Sequence, residues 1–161
     1  MLDNIKEKIY TLDDLQRRVS AWRVRSHKIV FTNGCFDLLH LGHISYLADA
    51  KSLGNKLIIG LNSDESVKRL KGASRPINDI ESRAMMLASF VFVDAVCVFE
   101  EDTPLHLIST LSPDVLVKGG DYEMNQIVGH DVVLEAGGIV KTIPFLEGYS
   151  SSNIVARIKG S

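Results

Sequence analysis

Five short apolar runs, each followed by a segment with helical spacing, constrain this chain more than any other feature. They fall at residues 28–32, 56–61, 95–99, 115–117 and 139–143. Runs this short between turn signals read as buried strands. Helical segments intervene at about 41–53, 63–71, 79–91, 105–111 and 126–135, and a last one begins within YSSSNIVARIK. Asn62 or Ser63 caps the second of these, Asn78 caps the third with Glu81 completing a capping box, and Thr103-Pro104 opens the fourth. Strands alternating with helices give parallel βαβ units. The expected fold is α/β, a Rossmann-like three-layer sandwich with a five-stranded parallel sheet in the order 3-2-1-4-5. Residues 1–27 read as a helical lead-in packed on the domain. They are loose to residue 10 and then helical over 11–23, with Leu12, Leu15, Val19 and Trp22 at helical spacing behind Thr11. Residues 28–161 form the domain proper, and the whole chain is one domain.

In such a sheet the ligand crevice lies beyond the carboxyl ends of the strands, where the strand order reverses. The polar stretches TNGCFDLLHLGH, NSDES, KGGDY and EGYSSS each begin as a strand ends. Parallel strands would bring all four to one edge. The first carries the most chemistry. A strand opening into a helix start is an anion site, because the first N–H groups of a helix lack internal partners and the dipole adds positive charge. His40 and His43 stand one helical turn apart at that start. A metal pair is the rival reading, but the sequence places no third ligand beside them. The glycine turn matches neither G-x-G-x-x-G nor G-x-x-x-x-G-K-[ST], which argues against a dinucleotide site and a P-loop.

Composition narrows the class. Of 161 residues, 45% are hydrophobic, enough for a folded core. A net charge of −2 leaves no overall footprint for nucleic acid. Cys35 and Cys97 form no disulfide framework and no zinc spacing. The polar start MLDNIKEKIY lacks an apolar signal region, and the longest apolar stretch, residues 87–93, is too short to span a membrane. A cytoplasmic protein with no membrane and no nucleic-acid partner is expected.

TNGCFDLLHLGH, GLNSDESVKRLKG, SRPIND, LVKGGDY and EGYSSSNI, in this order, resemble the HxGH nucleotidyltransferase superfamily. Within it they are most similar to the D-glycero-β-D-manno-heptose 1-phosphate adenylyltransferases. The resemblance runs from about residue 11 to 158. It implies transfer of AMP from ATP, with Mg²⁺, to a sugar 1-phosphate, giving ADP-heptose and pyrophosphate. It implies catalytic roles for His40, His43 and Lys118. Nucleotide contacts are implied for Thr32, Asn33, Gly34, Cys35, Phe36, Gly42, Asn62, Asp64, Lys71, Arg75, Gly119, Gly120, Ser150, Ser151 and Ser152. Asp37, Arg83 and Asp121 fall on the sugar-phosphate side, and no protein ligand to the metal is assigned. Many members carry a fused sugar kinase. This chain resembles the stand-alone transferase, with a separate kinase as pathway partner and room for a homodimer. Phe145 stands where cytidylyltransferases carry arginine, which weakens CTP as the donor, and Ser151-Ser152 replace the common Thr-Thr. Two alternatives stay open: a cytidylyltransferase acting on glycerol 3-phosphate or a similar alcohol, and a nucleotide-binding module without turnover.

Overall fold

The computed structural model describes residues 1–160. Its strands are β1 (Ile9–Tyr10), β2 (Ile29–Gly34), β3 (Lys56–Asn62), β4 (Ala95–Phe99), β5 (Val115–Gly119) and β6 (Ile139–Ile143). Its helices are α1 (Leu2–Lys6), α2 (Leu12–Val24), α3 (Leu41–Ser52), α4 (Asp64–Lys71), α5 (Ile80–Ser89), α6 (Leu105–Leu111), α7 (His130–Glu135) and α8 (Ser151–Lys159). The sheet has six strands in the order β1-β4-β3-β2-β5-β6. Every pairing is parallel. The order therefore reverses between β2 and β5, where Val30 faces Val115 and Phe31 faces Leu116.

The sheet holds six strands where five were expected. The additional one is β1, two residues inside the stretch read as loose lead-in, with Ile9 opposite Val96 and Tyr10 opposite Cys97. Two residues are too few for any periodicity to register. The other five strands keep the expected order.

Alternation along the strands sorts the core into two layers. Ile29, Phe31, Ile58, Cys97 and Leu116 point to one face, where Leu15, Val19 and Trp22 of α2 and Leu107, Ile108 and Leu111 of α6 cover them. Val30, Leu57, Ile59, Val96 and Val117 point to the other, against Leu47 and Ala50 of α3 and Ala84, Leu87 and Ala88 of α5. Buried carboxylates fix where strands begin. Asp94 accepts from the Leu57 N–H at 2.9 Å and pairs with Lys51 at 2.5 Å and Lys56 at 2.9 Å.

Helix starts show where local reasoning gives way. Thr11, Ser63 and Ser150 cap α2, α4 and α8 through their hydroxyls. α5 is capped by Asp79, which accepts from the Ser82 N–H at 2.8 Å, and Asn78 is drawn elsewhere. Pro104 holds the cap position of α6 with no side-chain cap, so Thr103 does not serve there. The segment at 126–135 splits into a 3₁₀ turn at Met124–Gln126 and a short α7 behind Gly129, whose φ is +81°. Among the described residues no helix is long and apolar enough to cross a membrane.

Candidate active site

At the carboxyl edge, where β2 and β5 diverge, lies a cavity of about 460 Å³. Small-molecule sites commonly span roughly 300–1,000 Å³. Asn33 to Asp37 form its floor after β2, with His43 and Tyr46 of α3 beside them. Asn62 ends β3, Lys71 ends α4 and Arg75 follows it, Lys118 and Gly119 end β5, and Phe145 and Ser151 close the far side. Four stretches distant in sequence thus meet on one rim.

The floor is a strained turn. Phe36 has φ +45°, a left-handed conformation that is rare for a bulky side chain and costs on the order of 1–3 kcal/mol. Its ring lies so close over Gly34 that a Cβ there would sit 2.9 Å from it. Arg83 holds the turn from behind. Fully buried, it donates through Nη1 to the Cys35 carbonyl at 2.7 Å and the Asn62 carbonyl at 2.8 Å. Nη2 meets Asp64 at 2.6 Å, and Nε donates to the Asn78 carbonyl at 3.1 Å. The C=O and N–H of one peptide point opposite ways. Fixing the Cys35 carbonyl on Arg83 therefore turns the Phe36 N–H away from Arg83. Farther along, Ser151 Oγ donates to the Leu38 carbonyl at 3.0 Å, tying the start of α8 to the same loop.

His40 is the first residue of the α3 turn and uses no side-chain cap. Its ring stacks on His43, with centroids 3.9 Å apart and planes 27° from parallel. Phe36 packs edge-on against His43 at 5.3 Å, and Tyr149 lies over His40 at 6.4 Å. The Nδ1 atoms of both histidines are buried with no protein partner. Burial, helped by neighbouring His40 and Lys71, draws His43 down to about 4, and burial lowers His40 as well. Both imidazoles are thus predominantly neutral near pH 7, each with one N–H to donate. Burial also lowers Lys118, whose ammonium sits 5.7 Å over the Tyr122 ring. The carboxylates at the rim are committed: Asp37 to Arg75 at 2.5 Å, and Asp102 to Arg69 at 2.8 Å. The polar groups left free toward the cleft include the His43 imidazole and the Lys71 and Lys118 ammonium groups, which suit an anion, among aromatic and aliphatic walls.

Of the other residues singled out in the sequence, Gly119 lines the cavity, and the rest, His40 among them, fall behind this wall or away from it. Thr32 is buried, its hydroxyl 2.5 Å from Tyr46. Asp64 serves Arg83, so neither lines the cavity. Gly42 makes room for the His40 ring and the Tyr149 side chain: a Cβ there would lie 3.0 Å from His40 and 3.2 Å from Tyr149. Gly119 and Gly120 likewise accommodate Phe145, at 2.6 Å and 2.9 Å from a notional Cβ. Ser150 caps α8, accepting from the Asn153 N–H at 3.0 Å. Ser152 and Asp121 do not line the cavity.

Several cavity residues carry no signal in the sequence read alone. Tyr46 and Tyr122 sit in a helix and a loop of ordinary composition. Tyr149 precedes the serines of a cap, and Phe145 stands out only as a departure from the cytidylyltransferase arginine. Burial pushes the Tyr46 phenol up to about 12, against the lowering effect of its bond to Thr32.

A doubly wound parallel sheet whose switch-point cleft is lined by N–H donors and cations is the arrangement of a nucleotide-binding α/β protein. Residues 31–157 match the cytidylyltransferase-like family, and the chain belongs to it. Proteins called "Bifunctional protein HldE" are similar over nearly the whole chain. That of Wolinella succinogenes is 55% identical over 156 residues, 97% of this chain and 32% of its own length. That of Geobacter metallireducens is 54% identical over 151 residues, 94% of this chain and 31% of its own. The chain thus spans about a third of the relatives it matches. Among solved structures, the lipopolysaccharide core biosynthesis protein of Thermoplasma volcanium aligns with a TM-score of 0.62 at 28% identity, over 77% of this chain and 99% of that one. The pantoate-beta-alanine ligase of Francisella tularensis shares the fold, with a TM-score of 0.61 at 16% identity over 94% of this chain and 76% of that one.

Proposed function

We propose that this chain is an adenylyltransferase. It moves AMP from ATP to D-glycero-β-D-manno-heptose 1-phosphate, giving ADP-heptose and pyrophosphate for lipopolysaccharide or surface-glycan precursors. The observation that carries the reading is the stacked pair His40–His43 at a helix start, whose inner member His43 lines the same cleft as Lys118, Lys71 and Arg75. The sugar is drawn from the motif resemblance, and the Thermoplasma volcanium neighbour, a lipopolysaccharide core biosynthesis protein, is in keeping with it.

A phosphate oxygen of the sugar 1-phosphate attacks the α-phosphorus of ATP in line. The bond to the β-phosphate breaks and pyrophosphate leaves, with no covalent enzyme intermediate. Such transfer needs positioning and charge stabilisation more than acid–base chemistry. His43 and His40 donate to oxygens on the α-phosphorus as charge builds there. Lys118 neutralises the same centre from β5. Lys71 and Arg75 meet the departing β- and γ-phosphates, and the start of α8 adds its dipole. Mg²⁺ would be held chiefly by the phosphate oxygens of the nucleotide, since Asp37 and Asp102 are engaged by arginines, and would supply positive charge to the polyphosphate. A sugar kinase supplies the 1-phosphate, and the reaction belongs in the cytoplasm, where ATP is made.

The test is a pyrophosphate-release panel crossing ATP and CTP with heptose 1-phosphate, other sugar 1-phosphates and glycerol 3-phosphate. Release with ATP and the heptose phosphate is expected. Release with CTP and glycerol 3-phosphate makes the chain a cytidylyltransferase, and ATP binding without release makes it a binding module.

A further inference from the structure

Asp37 is only 2% exposed, and its carboxylate is fully engaged by one loop, residues 72–79. It accepts from Arg75 Nε at 2.5 Å, from the Ile77 N–H at 2.8 and 3.0 Å, and from the Asn78 N–H at 2.9 Å. Its own carbonyl accepts from Asn78 Nδ2 at 2.6 Å. A carboxylate with this many close donors has no lone pair left to read a sugar hydroxyl.

What the loop carries explains the investment. It starts just after Lys71, at Gly72, whose φ is +99° with nothing within 4 Å of a notional Cβ, a hinge in open space. It holds Arg75, which with Lys71 lines the cavity. It ends on Asn78, whose carbonyl is gripped by Arg83. Between these points the attachment to the glycine turn is Asp37. The same turn presents Phe36 and Cys35 to the cleft. One side chain therefore fixes the distance between the floor of the site and the cations arching over it.

We propose that Asp37 is a positioning residue. Its carboxylate latches the 72–79 loop onto the glycine turn and so sets where Arg75 meets the β- and γ-phosphates of the nucleotide. The proposal rests on the nucleotide reading above. It deepens that reading by assigning part of the affinity for the triphosphate to a residue that acts through another. Opening the latch frees the loop, and Arg75 then spends conformational entropy on each binding event.

The test uses Asp37→Ala, which removes every side-chain acceptor, and Asp37→Asn, which keeps one oxygen but loses the charge on Arg75. Amide exchange at Ile77 and Asn78 is measured without nucleotide. ATP affinity is measured by calorimetry, and KM for each substrate by pyrophosphate release. Expected for Asp37→Ala are faster exchange at both amides and a loss of ATP affinity of roughly tenfold or more, with KM for ATP rising in step. KM for the sugar phosphate stays nearly constant, and Asp37→Asn falls between. Faster exchange with unchanged ATP affinity overturns the positioning role. A rise confined to KM for the sugar phosphate overturns it too, and returns Asp37 to the acceptor site. If Asp37→Ala does not fold, Asp37→Asn with faster exchange and no change in ATP affinity is equally fatal. Failure of the unmodified protein to bind ATP defeats the nucleotide reading itself, which the exchange data do not depend on.

Discussion

His40 and His43 lie face to face, centroids 3.9 Å apart, and each keeps a buried Nδ1 without a protein partner. Two stacked rings with unpaired nitrogens are a poor structural arrangement and a good preorganised one. On the proposed mechanism the desolvation cost is met in the fold, and both rings are set before charge develops on the transferred phosphate. His43→Ala should lower turnover by on the order of 10²–10³ while ATP binding changes far less, as for loss of one transition-state donor. Single-turnover pyrophosphate release checks this, and full rate in the variant removes His43 from the chemistry.

The same burial makes the fold sensitive to acid. His43 is held at about 4 in the folded chain, against 6.5 for a free imidazole. As pH falls below 6.5 the unfolded chain takes up a proton that folded His43 refuses, so stability declines until about pH 4 and then levels off. Asp37 and Asp94 act at a lower window. Burial pushes both up, but the N–H groups and cations around them outweigh it, leaving each below 3.8. Their contributions are present above 3.8 and are lost as pH falls through the folded values. Urea unfolding at a series of pH values should show the upper decline shrink in His43→Gln, with His40 supplying what is left, while the lower one remains. An unchanged upper slope would show that His43 titrates normally.

The strand order, the switch point and the turn from Asn33 to His43 were legible because they rest on local signals: apolar runs of strand length, a glycine, two histidines at helical spacing. What was not legible depends on partners far along the chain. Asn78 is a plausible cap by composition, yet Asp37, 41 residues away, claims its side chain and N–H, and the cap passes to Asp79. Arg83 matched a family arginine and was placed near the substrate, but the structure buries it among carbonyls. The resemblance makes Gly42, Gly119 and Gly120 openings for a ligand; the structure adds what no local signal announces, the His40 ring against Gly42 and the Phe145 ring against Gly119 and Gly120. β1 is too short to announce itself.

Those rings give a stability test. A Cβ on Gly119 would stand 2.6 Å from the Phe145 ring, so Gly119→Ala must displace it. Gly119→Ala should destabilise by about 1–3 kcal/mol, the usual cost of overpacking. In a Phe145→Ala background most of that cost should disappear. The double-mutant cycle, measured by denaturant unfolding, reads a coupling energy of about 1 kcal/mol or more. Additive effects would mean that Phe145 does not rest on Gly119 in solution.

Arg83 gives the sharpest stability prediction, because it is a buried charge satisfied at four points on three separate segments. Removing one partner of such a set leaves others uncompensated, which typically costs about 3–5 kcal/mol. Arg83→Ala should lose that much in urea unfolding, since the Cys35 and Asn62 carbonyls and the Asp64 carboxylate lose their donor together. Arg83→Lys keeps the charge but offers one compact ammonium in place of a planar fork, so it cannot span the Cys35, Asn62 and Asp64 acceptors at once. It should recover only part of the loss. Because the Cys35 carbonyl would then be held loosely, the strained Phe36 peptide should relax. ATP affinity should drop in Arg83→Lys by more than its fraction unfolded explains. A lysine variant as stable as the parent would show that the guanidinium geometry is not what holds the turn.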